Sequence, residues 1–176
     1  MILRAVGSWL CRWHSSCYLL PRGVLRSAIT LPGLLRARMS GNEASAIASL
    51  RAISSAQSAF AASCGSGFYS PILVLLGIPP AGSNQSAYIG TDLNTDPSVK
   101  STYTMTLSGG AAVDGAPTTC NGAVAGTVVE SHFAAASPQN TGFRFFGTNQ
   151  RGMIYQDRVV LPVTQFGAPA GAAPIQ

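Results

Sequence analysis

Apolar side chains at Ile47, Leu50, Ile53 and Phe60 recur at helical intervals, with Gln57 the one polar interruption. That spacing lines a single face of an α-helix. Alanines fill the opposite positions, so the other face is small and weakly charged. The pattern predicts a helix over about residues 33–63. Ser40 and Glu43 form an S-x-x-E capping box, a local signal for a start at Gly41, and Gly65 and Gly67 supply the stop.

Downstream the punctuation changes. Pro71, Pro79, Pro80, Gly82, Gly90 and Pro97 mark residues 65–100 as a connecting loop with a short helical turn at residues 72–76. Residues 102–107 then alternate strictly, with Tyr103, Met105 and Leu107 on one face and three threonines on the other, as in a half-buried antiparallel strand. Residues 127–134, 142–147 and 153–156 read as three more strands, the last two joined by the turn at residues 149–152. The expected fold is α+β: one long N-terminal helix packed on a four-stranded antiparallel sheet over about residues 101–158. Residues 167–176 are low in complexity and are expected to be a disordered tail.

The helical stretch also carries a family likeness. Residues 32–57, PGLLRARMSGNEASAIASLRAISSAQ, resemble the first helix of a type IV pilin just beyond its membrane-embedded part. The likeness extends more loosely through FAASCGSGFYSP, STYTMTLS and FGTNQRGMIYQD. It implies a helix running from Pro32 straight through Gly41, in a pilin-like domain over residues 32–166. It also implies a structural filament subunit and not an enzyme, polymerising through its N-terminal helix. Its partners would be other copies of itself and the pilus or secretion assembly machinery. It would sit in the inner membrane before assembly and in a cell-surface filament afterwards, after cleavage and methylation by a prepilin peptidase. A pseudopilin of a type II secretion system shares the helix and is the alternative; an unrelated exported binding module is another.

Residues 1–31 depart from that pattern. Pilins carry a basic leader, a cleavage-site glycine and an unbroken apolar run of roughly twenty residues there. Here the stretch is interrupted by Arg4, Arg12, His14, Pro21, Arg22 and Arg26. The abrupt loss of likeness before Pro32 is what a frameshift or misassigned start produces. The expectation is that residues 1–31 are a wrong-frame translation of the true leader and membrane helix, with an organellar transit peptide as the alternative. A chain with this sequence as written is not expected to enter a filament.

The formal charge of +5 is unevenly placed. Residues 1–42 hold six arginines and no acid, whereas residues 43–176 hold five basic and six acidic side chains. The domain is therefore near neutral, and nothing in it suggests the clustered basic face that nucleic acid requires.

Candidate chemistry is sparse. In an oxidising exterior Cys64 and Cys120 are a plausible pair, which would pin the helix end to the sheet; two buried free thiols are the alternative. Neither has a neighbour at metal-ligand spacing, and Cys11 and Cys17 are left unpaired. Asp92, Asn94 and Asp96 alternate like the start of a calcium loop, but Pro97 and Tyr103 break the pattern, so turn capping is expected instead. Glu130 and His132, two apart on an expected strand, would share a face and make a solvated contact. Asn84-Gln85-Ser86 matches a glycosylation acceptor. No catalytic motif and no cofactor-binding fingerprint is present.

Overall fold

The computed structural model describes residues 24–82 and 84–175, with side chains from residue 33. The chain divides into two compact units, residues 1–35 and 36–176. In the first, the backbone is helical from Val24 onward, and Leu34 and Leu35 are exposed. The wrong-frame reading of residues 1–31 concerns side chains outside those described. Among the described residues no helix is long and apolar enough to cross a membrane.

Helix α1 (Val24–Ser63) starts upstream of the expected residue 33 and passes through Ser40 and Glu43 without a break. The capping box is therefore not used. The Glu43 carboxylate is instead held by Arg144, 101 positions away. In the second unit the expected stripe faces the sheet: Leu50, Ile53 and Phe60 are fully buried and Ile47 is half-buried at its margin. Gly65 follows the helix because its Cα lies so near Phe68 that a Cβ would stand 2.2 Å from that residue's carbonyl oxygen.

Among the described residues, six strands form one antiparallel sheet in sequence order: β1 (Ser98–Lys100), β2 (Tyr103–Gly109), β3 (His132–Pro138), β4 (Phe145–Asn149), β5 (Ile154–Asp157) and β6 (Ala173–Pro174). The expected number was four. β1 lay hidden in the loop because it is three residues long and follows Pro97. It pairs with β2 through a two-residue turn in which Ser101 and Thr102 both take positive φ, 50° and 65°, as tight hairpins require. Thr102 is thus a turn residue and not the first of a strand. Of the strand expected over residues 127–134, only residues 132–134 belong to a strand, β3, which begins at His132; upstream there is an isolated bridge at Val129. The strand expected over residues 142–147 begins later, at Phe145, and runs on to Asn149.

The tail is a correction as well. Ala173 and Pro174 pair with Gln156 and Tyr155, and the Ile175 backbone N–H donates to the Ile154 carbonyl at 2.8 Å. An edge strand's free backbone groups favour any chain that can satisfy them, and composition alone does not reveal such an edge.

The sheet has two distinct faces. Tyr103, Met105, Leu107, Ala134, Ala136, Phe146 and Ile154 form one core with α1. On the other face, Phe133 and Leu161 meet above Gly147, where a Cβ would stand 2.7 Å from the Phe133 ring and 3.0 Å from Leu161. Residues 158–167 run over this face as a strap. Asn149 Nδ2 fastens it by donating to the Gly167 carbonyl at 2.7 Å.

Candidate functional site

Two features of the second unit bear on function: the exposed side of α1, and the ties that hold this helix to the rest of the domain. Opposite the buried stripe, α1 presents Ala44, Ala48, Arg51, Ala52, Ser55, Ala59 and Ala62 to solvent. Together with residues 85–88 this side forms a shallow groove of about 580 Å³, lined by Ala52, Ser55, Ala56 and Ala59 and bounded by Tyr88.

At its C-terminal end α1 is tied covalently. Cys64 and Cys120 form a disulfide with their Cα atoms 4.9 Å apart. Cys120 lies in the excursion between β2 and β3, which is itself pinned to the α2 turn (Leu73–Leu76): Asn121 Nδ2 donates to the Leu75 carbonyl at 2.6 Å. Tyr88 closes the corner, its ring edge-on to Phe60 at 5.6 Å between centroids and its hydroxyl 2.9 Å from Ser63 Oγ.

About two turns before Cys64, Gln57 explains why a polar residue interrupts the stripe. Its Nε2 donates to the Ser70 carbonyl at 2.8 Å and its Oε1 accepts the Ser70 N–H at 2.9 Å. Both backbone groups of a buried loop residue are thereby satisfied by one side chain. At the other end of the sheet Arg144 grips Glu43 through Nε and Nη2, and its Nη1 donates to Gln156 Oε1 at 2.6 Å. Arg144 hydrogen bonding holds the Glu43 carboxyl below the usual range. The Tyr103 hydroxyl donates to the Arg144 carbonyl at 2.9 Å, and burial pushes its pKa up. These contacts join residues so far apart in sequence that no local pattern signals them.

The Glu130–His132 contact does not form. Glu130 is exposed, whereas His132 is buried, packs edge-on against Tyr69 with centroids 4.7 Å apart, and has no hydrogen-bond partner on either ring nitrogen among the described residues. Burial pushes the imidazole down to about 4.

In the loop, the Asp92 carboxylate pairs with Lys100 Nζ at 2.6 Å, and Asp96 Oδ2 accepts the Leu73 N–H at the start of α2. Among the described residues no three His, Cys, Asp or Glu side chains converge as a metal site. Asn84, the possible glycan acceptor, is exposed.

No protein-family model, curated protein or solved structure matches the chain.

Proposed function

We propose that this chain is a structural subunit of a type IV pilus-type filament, its domain carried on the N-terminal helix and polymerising through it. The observation that supports this most is the division of α1. One stripe is buried against an antiparallel sheet, while the opposite side stays free along residues 44–62 and is built almost wholly of alanine and serine. Small side chains let another surface approach the helix backbone closely, and burying it from water favours association. A helix that served only as core for its own sheet would carry charge on its outer face; this one carries a single arginine there, Arg51.

The covalent and polar ties fit a load-bearing unit. The Cys64–Cys120 disulfide, the Gln57–Ser70 pair and the Glu43–Arg144 pair fasten the C-terminal half of α1 to the domain at three points along its length. Force applied along the helix would reach the sheet through all three.

The test uses a pilin-deletion strain expressing two chains: this sequence, and one in which the residues before Pro32 are replaced by a prepilin leader and apolar segment. Electron microscopy and a sheared surface fraction should show filaments containing the second chain alone. If the second chain accumulates in the membrane with its disulfide formed and yields no filament, the proposal is wrong.

A further inference from the structure

The strap and the α1 groove lie on opposite layers of the same domain, and they are complementary. The strap exposes Val159, Val160, Val163 and Phe166, each more than half accessible, while Leu161 between them is buried. Four large apolar side chains within eight residues exceed the scattered exposure normal on a soluble surface. The groove, by contrast, is floored by alanines and leaves about 580 Å³ of space beside α1.

Charge matches as well as size. Asp157, immediately before the strap, accepts the Arg158 backbone N–H and has no cationic partner among the described residues. Arg51, immediately before the groove residue Ala52, is exposed and likewise has no ion-pair partner among the described residues. The two surfaces also run in the same order. Asp157 lies opposite Phe145, at the end of the sheet where Arg144 holds Glu43. Gln165 reaches Gly109, at the far end of β2. From the Glu43 end of α1 toward Cys64, Asp157 and the exposed Arg158 precede the apolar knobs of the strap, and Arg51 precedes the small-residue groove of the helix.

We propose that the strap of one copy docks into the α1 groove of a second copy held in the same orientation, with Asp157 facing Arg51. This rests on the filament reading and adds which faces meet. Contact between two different surfaces leaves one of each unfilled on every pair, so it adds further copies and builds an open array wherever the rotation between copies does not close a ring. A two-fold dimer would bring each surface against its own copy, apolar strap on strap, and would leave the groove empty.

The test places a photoreactive benzophenone side chain at position 166 of the chain whose residues before Pro32 are replaced by a prepilin leader and apolar segment, and maps its cross-links by mass spectrometry. Cross-links to residues 52–59 of a second copy are expected, with loss of most of that product in Ala59→Arg, an exposed substitution whose fold is checked by retention of the disulfide. Arg51→Asp and Asp157→Arg should each weaken self-association about fivefold, and combining them should restore it. Cross-links to any other surface, or their absence, overturn the docking, as does a double reversal that fails to rescue. The filament proposal fails or stands separately. Filaments without this cross-link remove the docking alone, whereas the cross-link in soluble oligomers that never grow into filaments sustains the docking and removes the filament reading.

Discussion

Glu43 on α1 and Arg144 at the entrance to β4 are joined by a forked ion pair, reinforced by a 3.3 Å hydrogen bond from the Arg144 backbone N–H to Glu43 Oε1. The guanidinium also sits 5.6 Å above the Phe146 ring. A forked, charge-assisted pair is stronger than a point contact, but Arg144 is nearly half exposed and solvent screens it. Arg144→Ala should destabilise the domain by about 1 kcal/mol in urea titrations. Because the folded Glu43 carboxyl titrates below its unfolded value, the pair's contribution is present at neutral pH and is lost as pH falls through the folded value. Equal stability of the variant and the parent at pH 7 would show that the pair contributes nothing.

His132 acts in the same direction over a higher pH range. The unfolded imidazole takes up a proton near 6.5, whereas the folded one resists until about 4. Stability is therefore complete above pH 6.5 and falls as pH drops from there to 4, by about 3 kcal/mol at most. Below 4 this group adds no further slope. His132→Phe keeps an aromatic ring beside Tyr69 and should flatten the stability profile between pH 6.5 and 4. An unchanged slope would assign the acid sensitivity to other groups.

Gln57→Leu keeps the volume of the stripe and deletes both hydrogen bonds to Ser70. Two buried backbone groups would then lack partners, which should cost about 3 kcal/mol. The stripe would become more apolar, and the domain less stable. A stabilised variant in thermal or urea unfolding would contradict this reading of the interruption.

Opening the Cys64–Cys120 bond releases a loop with a sequence separation of 56. The chain-entropy estimate for a loop of that size is about 4 kcal/mol. Cys64→Ser with Cys120→Ser should lose about that much stability, and added reductant should then have no further effect. A reductant-sensitive double variant would point to another cysteine pair.

Gly147→Ala tests the seat of the strap. The added methyl would press on Phe133 and Leu161 from a position where neither can retreat without lifting residues 158–167. A loss of about 2 kcal/mol is expected, with faster hydrogen exchange in the strap ahead of the rest of the sheet. Uniform exchange across the sheet would mean that the strap and sheet open together.

The helix and the β2 alternation were legible because each is a local periodicity: the 3.6-residue stripe through Leu50, Ile53 and Phe60, and the two-residue beat of Tyr103, Met105 and Leu107. The turn at residues 149–152 was legible too, since Gly152 supplies the positive φ there, 73°. The short strands β1 and β6 were not. Three residues and two carry no period, and both exist because a neighbouring strand offers backbone groups to satisfy. The strap was missed for a related reason: exposed valines in a row look like a strand until their one buried member, Leu161, is seen to sit on Gly147. At Glu43 a local capping-box signal competed with the longer helix expected from Pro32, and the helix runs through; a capping acid and an ion-pair partner are the same residue in sequence, and only position distinguishes them.

The order of residues alone determined that one long helix would bury a stripe against an antiparallel sheet, because apolar periodicity is a property of neighbours. Tertiary structure decided which distant groups would meet: Gln57 with Ser70, Glu43 with Arg144, and the tail with β5. It also decided that His132 would be enclosed while Val160 stayed in solvent. Those outcomes depend on which faces compete for the same space, and that competition begins only once the elements have packed.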